Sequence, residues 1–248
     1  MKAIFQSRHL DAGRSTRRLG GRALVSLSNP VRLKHILNVI AAIGFSLASH
    51  GVTAQNTPLT SENYIENSAK KGVVLLSVRW DRKWGCAGYE NAQLRLLGFD
   101  HLPSKRSIDD EEADLLLDDA PLIMTKPRFD DYAFLVEPGQ YGLSKLHIKA
   151  ARSMSDVGVA KVGRDRLFRD GDADGGTFSV GAGEVVYIGH FYIDCYKEPS
   201  LWRYYLEDKE GFIRYLAEHK RKVPELDVTH AKFQLFKSRY FGRDHELK

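Results

Sequence analysis

Cysteine is scarce in this chain of 248 residues, with two in all, at 86 and 195. That distance excludes the closely spaced pairs that make structural zinc sites and thiol redox motifs. Several compact catalytic signatures are absent as well. There is no Gly-x-Ser-x-Gly elbow, no His-Glu-x-x-His helix and no glycine-rich loop closing on Lys-Ser/Thr, so no nucleophile, metal or phosphate chemistry is announced by a motif. Gly181-Ala182-Gly183 lacks the third glycine and the helix that dinucleotide binding needs. No apolar run reaches the roughly 20 residues that cross a bilayer comfortably. The longest, Ile36 to Leu47, stops at Ser49 and His50.

The formal charge of +5 suggests nucleic acid or an acidic membrane until its location is read. Residues 1–54 hold eight basic side chains and one acidic one, Asp11, which leaves 55–248 with 29 basic and 31 acidic residues, a net −2. Nucleic acid is therefore not an expected partner. The basic segment reads as an export signal. Arg32 and Lys34 precede the apolar run, and small residues ending Val52-Thr53-Ala54 follow it, so cleavage is expected before Gln55. A start at Val31 would make this leader one of ordinary length. Arg17-Arg18 lies too far upstream to serve the run as a twin-arginine signal. The alternative is an uncleaved anchor over 36–52. The expected product is periplasmic or secreted, touching the membrane only during export.

Residues 55–71 are polar and aperiodic and read as a spacer before a single domain, 72–248. Val74, Leu76, Val78 and Trp80 alternate as a first strand. The loop 81–91 leads to a second over 92–99, with Trp84, Cys86 and Tyr89 folding back on the core; as a site, those aromatics would grip a ligand. Asp109, Asp110, Glu111, Glu112 and Asp114 read as a solvated face, pinned by Leu115 to Leu117. Phe134 and Val136 lead into the turn Glu137-Pro138-Gly139-Gln140 and a returning strand, 141–150. Its apolar positions change parity between Leu143 and Leu146, which places a bulge near Ser144-Lys145. The central stretch is 177–195, where Val185, Tyr187, Phe191, Ile193 and Cys195 share one face and Glu184, His190 and Asp194 the other. Asp208 caps a helix whose apolar stripe is Phe212, Tyr215, Leu216 and His219. Ala231, Phe233 and Leu235 form a last strand.

Two sets of residues carry candidate chemistry. Asp170, Asp172 and Asp174, followed by Gly175, match the first half of a calcium loop, in which alternate carboxylates converge on a hard cation. The twelfth position is Gly181 instead of a bidentate glutamate, so calcium competes there with a plain acidic hairpin loop. His147, Ser179, His190 and Asp194 are the residue types of a hydrolytic set, with no spacing that joins them. In an exported chain Cys86 and Cys195 form either one disulfide or two reduced thiols, with Cys195 a small core residue.

VEPGQYGLSKLHI at 136–148 and FSVGAGEVVYIGHFYID at 178–194 resemble paired signatures of exported bacterial proteins with a transthyretin-like or carboxypeptidase-regulatory-like β-sandwich. The resemblance implies a fold and carries over no catalytic residue. The fold expected is mainly β: an antiparallel β-sandwich of seven to nine strands with one carboxy-terminal helix packed on it. The function expected is that of a non-catalytic envelope protein, a binding or structural sandwich that takes a protein or glycan through its loops. The alternative is a calcium-dependent module or envelope hydrolase using the 170–174 loop.

Overall fold

Strand β1, Gly72–Val78, is buried at every position. A strand between a core and water hides only alternate residues, so both of its faces must have a partner. The computed structural model describes residues 57–118, 120 and 127–248, all within one compact unit. In it Val74, Leu76 and Val78 face a second sheet, while Val73 and Leu75 belong to a separate cluster with a helix. The expected leader lies outside the described residues.

Helix α1 (Ser61–Asn67) precedes β1, and β2 (Lys83–Cys86), β3 (Tyr89–His101), β4 (Leu115–Leu117) and β5 (Asp130–Val136) follow it. Then come β6 (Gly139–Ala151), β7 (Val157–Val162), the one-turn α2 (Arg164–Leu167), β8 (Thr177–Val180) and β9 (Val185–Asp194). The last elements are β10 (Ser200–Tyr204), α3 (Lys209–Lys222) and β11 (Lys232–Phe233). One sheet runs β10-β9-β1-β5, with β11 also paired to β9; the other runs β2-β3-β6-β7, with β4 on β3 and β8 on β6. Most pairings are antiparallel, but β1 and β11 run parallel to β9. The expected β-sandwich with a carboxy-terminal helix is what forms. It has more strands than seven to nine because it includes β4 and β11, of three and two residues.

The two sheets close over Phe99, whose ring meets Phe178, Phe191 and Phe236 edge-on at 5.5, 6.0 and 5.7 Å. Each such fully buried side chain contributes about 1.5–3 kcal/mol of hydrophobic stabilisation. The outer face of the first sheet holds a second core. Phe212, Tyr215 and Leu216 of α3 pack there with Val73, Leu75, Val185 and Tyr187. Asp208 starts the helix as expected, accepting from the Gly211 N–H at 2.6 Å.

Several expectations change. The 55–71 spacer is structured from residue 57. Leu135 donates to the Thr57 carbonyl and Leu59 to that of Ala133, and Thr60 and Asn63 cap α1 reciprocally at 3.2 and 3.0 Å. The 81–91 loop is a β2–β3 hairpin. Gly85 there has φ 64°, which breaks the strand alternation, so Trp84 stands 53% exposed while Cys86 is buried. The turn at 137–140 is no hairpin: β5 and β6 lie in different sheets, and the turn carries the chain across. The same holds for 181–183 between β8 and β9. A bulge sits at Ser144, where β3 pairs Gly98 with Lys145 and Phe99 with Leu143. Strand β9 holds another that was not expected. Gly189, at φ 120°, reverses the parity, so Val185 and Tyr187 lie under the helix while Phe191 and Ile193 face the other sheet.

Cys86 and Cys195 are joined, with α-carbons 4.9 Å apart and 109 positions between them in the chain. The bond ties β2 of one sheet to the end of β9 in the other. Chain entropy alone makes such a closure stabilising by about 4–5 kcal/mol. Unfolded, unreduced protein should therefore show no titratable thiol, and reduction should lower the melting temperature while leaving a folded β spectrum.

Candidate binding cleft

At the end of β1 the alternation continues for two more residues. The Arg79 N–H still donates to the Phe191 carbonyl at 3.0 Å, Trp80 drops into the core, and the Arg79 side chain emerges on the outer face. Trp80 is held from both sides. Its indole N–H donates to the Tyr132 hydroxyl at 2.7 Å and its carbonyl accepts from Gln93 at 2.7 Å. The chain then turns into β2, bringing Arg82, Lys83 and Trp84 beside Arg79.

These residues border a cleft of about 620 Å³ on the part of the outer face that α3 leaves open. Its aromatic lining is Trp84, Phe129, Tyr192, Tyr204 and Tyr205, drawn from four separate segments. Phe129 packs on the rings of His190, Tyr192 and Tyr204 at 4.8, 6.5 and 6.4 Å. The Arg79 guanidinium lies over the Tyr192 ring at 4.4 Å while Asp81 holds it through bonds of 2.5 and 2.9 Å. Lys83 donates to the Ile193 carbonyl at 3.2 Å with its ammonium 5.6 Å from the same ring.

Three lining residues are cationic, Arg79, Arg82 and Lys83, and Asp81 alone is anionic. Asp81 neutralises Arg79 and raises its pKa through the hydrogen bond. Arg82 has no ion-pair partner among the described residues. Burial, and then Asp81, push the Tyr192 phenol up to about 12, so it stays protonated. Burial drives His190 down to about 4 against the pull of Asp131, and its Nε2 has no hydrogen-bond partner among the described residues. The cleft thus offers aromatic faces, neutral polar atoms and an unpaired guanidinium. It can bind and orient a ligand.

The expected site residues fall elsewhere. Asp170, Asp172 and Asp174 lie in the turn between α2 and β8, closed by Arg169 N–H to Asp172 O at 2.9 Å and the reverse at 2.8 Å. Asp174 is clamped by Arg239 at 2.7 Å and Arg169 at 3.4 Å, so a cation there would compete with two guanidinium groups. Among the described residues no three His, Cys, Asp or Glu side chains converge as a metal site. His147 and Ser179 sit on one sheet, His190 and Asp194 on the other. Ser179 pairs opposite Gln140, at the far end of β6 from His147, so these four do not assemble. Of the three loop residues expected against the core, Cys86 is buried and Trp84 turns out to the cleft rim.

The acidic run is solvated as expected, with Asp109, Glu111 and Glu112 exposed, and it is also tied down by arginines. Arg106 is only 8% exposed and reaches Asp110, Glu112 and Asp114 at 3.3, 3.2 and 2.9 Å. Arg164, buried, grips Asp100 at 2.6 and 2.9 Å and donates to the carbonyls of Asp110 and Glu112. The segment, stapled by two arginines, lines a cavity of about 510 Å³ together with His101 and Tyr141.

Comparison with known proteins returns no matching family model, no similar curated protein and no similar solved structure. Among the described residues no helix is long and apolar enough to cross a membrane.

Beside the cleft, under α3, lies a second buried histidine. His219 is 3% exposed, packs on Tyr215 at 4.7 Å and is held down to about 4 by burial, with Lys222 adding to the effect and Asp131 and Glu218 opposing it. A folded-state pKa below the unfolded value near 6.5 means that the unfolded chain takes up the proton first. The stability these neutral rings permit is complete above pH 6.5 and is lost as pH falls toward 4. Melting temperature should fall over that range, and His219→Leu should flatten the fall, removing up to about 1 kcal/mol per pH unit of slope.

Proposed function

We propose that this protein is a non-catalytic, exported component of the cell envelope that binds a ligand in the cleft beside α3. One observation carries the reading: a helix covers only part of the outer sheet face, and the remainder is lined by five aromatic rings with cations at the rim. A concave site lined by partly exposed aromatics, with Trp84 the most open, is of the kind that ligands ordinarily occupy. The rim is fixed by the disulfide, since Trp84 lies on the strand that Cys86 ends. The disulfide also favours an oxidising compartment. The leader supports export, with Ala54 as the last residue removed. The transthyretin-like resemblance belongs to the same proposal, as kinship in scaffold and not in chemistry.

Mass spectrometry of protein from the envelope fraction should find a chain beginning at Gln55. A chain retaining residues 36–54 in the membrane pellet would favour the anchored alternative. For the cleft, residues 55–248 should co-sediment with washed envelope fragments, and the double variant Trp84→Ala, Tyr204→Ala should stay in the supernatant with its circular dichroism unchanged. Co-sedimentation indifferent to that change would remove the cleft from the function.

A further inference from the structure

We infer that the cleft takes an acidic sugar, a pyranoside bearing a carboxylate of the uronic acid class. The inference rests on reading the cleft as a binding site and adds the chemistry of its occupant. Trp84 is 53% exposed and Tyr204 is half-buried, while Tyr205 already stacks on His245 at 4.2 Å, so the Trp84 ring, backed by Tyr204, is the surface open to a flat partner. The C–H face of a pyranose is such a partner, apolar on one side and ringed by hydroxyls. Beneath those rings lie two polar atoms without a hydrogen-bond partner among the described residues, the buried His190 Nε2 and Tyr192 hydroxyl, which only a ligand that reaches the floor of the cleft would meet.

The charge pattern selects the acid. Arg79 is already satisfied by Asp81, and Lys83 already donates to Ile193, whereas Arg82 is committed to nothing among the described residues. A planar guanidinium with its donors free is suited to a carboxylate, which it can hold through two parallel hydrogen bonds. A neutral sugar would leave that charge uncompensated beside the ligand. Nucleic acid is disfavoured by the net charge of −2 carried by residues 55–248.

The test is a titration of residues 55–248 with a galacturonic acid trimer, its methyl ester, which keeps the rings and removes the charge, and the free monomeric acid. Binding is read by tryptophan fluorescence, with Trp84→Phe identifying the reporting residue. The acidic trimer should bind about tenfold or more tightly than its ester, that margin should vanish in Arg82→Ala, and Tyr204→Ala should weaken both ligands. Added salt should weaken the acid and leave the ester unchanged. Monomer binding as tight as the trimer would point to a free sugar acid; a stronger trimer points to a polysaccharide, and both support the inference. Equal affinity for acid and ester, or no acid binding at about 10 mM, overturns it. Ester or peptide binding that Tyr204→Ala abolishes would then leave the cleft a binding site for another ligand. Silence from every ligand, together with envelope co-sedimentation that ignores the cleft, removes both readings.

Discussion

A 14-residue helix has to cover the outer face of a sheet whose central strand is ten residues long. The helix spans about 21 Å and the strand about 33 Å, so part of that face must be left over. The covered part can be apolar, as Val73, Leu75 and Val185 are. The uncovered part carries Arg79, Tyr192 and Tyr204, residues that tolerate water at one end and packing at the other. His190 marks the border: Tyr215 of the helix approaches its ring at 5.6 Å, and Phe129 approaches at 4.8 Å. Helix α3 thus bounds the cleft on one side.

Buried polar groups in this protein are handled in two ways. Asp100 is fully buried as a charge, and both of its oxygens are occupied: Oδ1 accepts from Ser144 and Arg164, Oδ2 from Ser104 and Arg164. Removing one partner from such a pair costs about 3–5 kcal/mol because the other charge is stranded. The bulge at Ser144 is part of this arrangement, since it aims that hydroxyl at Asp100. Among the described residues His190 and His219 have no such partners at Nε2, and burial keeps them neutral instead. The second arrangement is disturbed as pH falls and the two rings take up protons.

Local features were legible in the sequence. The stripe Phe212, Tyr215, Leu216, His219 and its Asp208 cap depend only on helical spacing, and the bulge at Ser144 shows as a change of parity between Leu143 and Leu146. The bulge at Gly189 was hidden because Val186 and Ile188 are as apolar as Val185 and Tyr187, so the half of β9 before Gly189 has no polar face against which a reversal could show. The crossings at 137–140 and 181–183 were hidden for another reason. Proline and glycine shape a turn in the same way whether the next strand pairs with the last or leaves for the other sheet. The roles of Arg106 and Arg164 and the gathering of the cleft are products of long-range packing. Trp84 was visible as an aromatic in a loop, but not its outward turn at Gly85, and nothing in the spacing joins it to Tyr204.

The bond between Cys86 and Cys195 stands where the two halves of the cleft meet. Lys83 and Trp84 belong to a hairpin of one sheet, Tyr192 and Tyr204 to the other, and the covalent link lies three residues from Lys83 and three from Tyr192. While the thiols are reduced, that hairpin is held against its neighbour by packing and by the Lys83 hydrogen bond to Ile193; once oxidised, it is moored covalently. The geometry of the cleft rim is therefore tied to the redox state of two cysteines, and a chain with both thiols reduced carries the same residues without a covalently fixed rim.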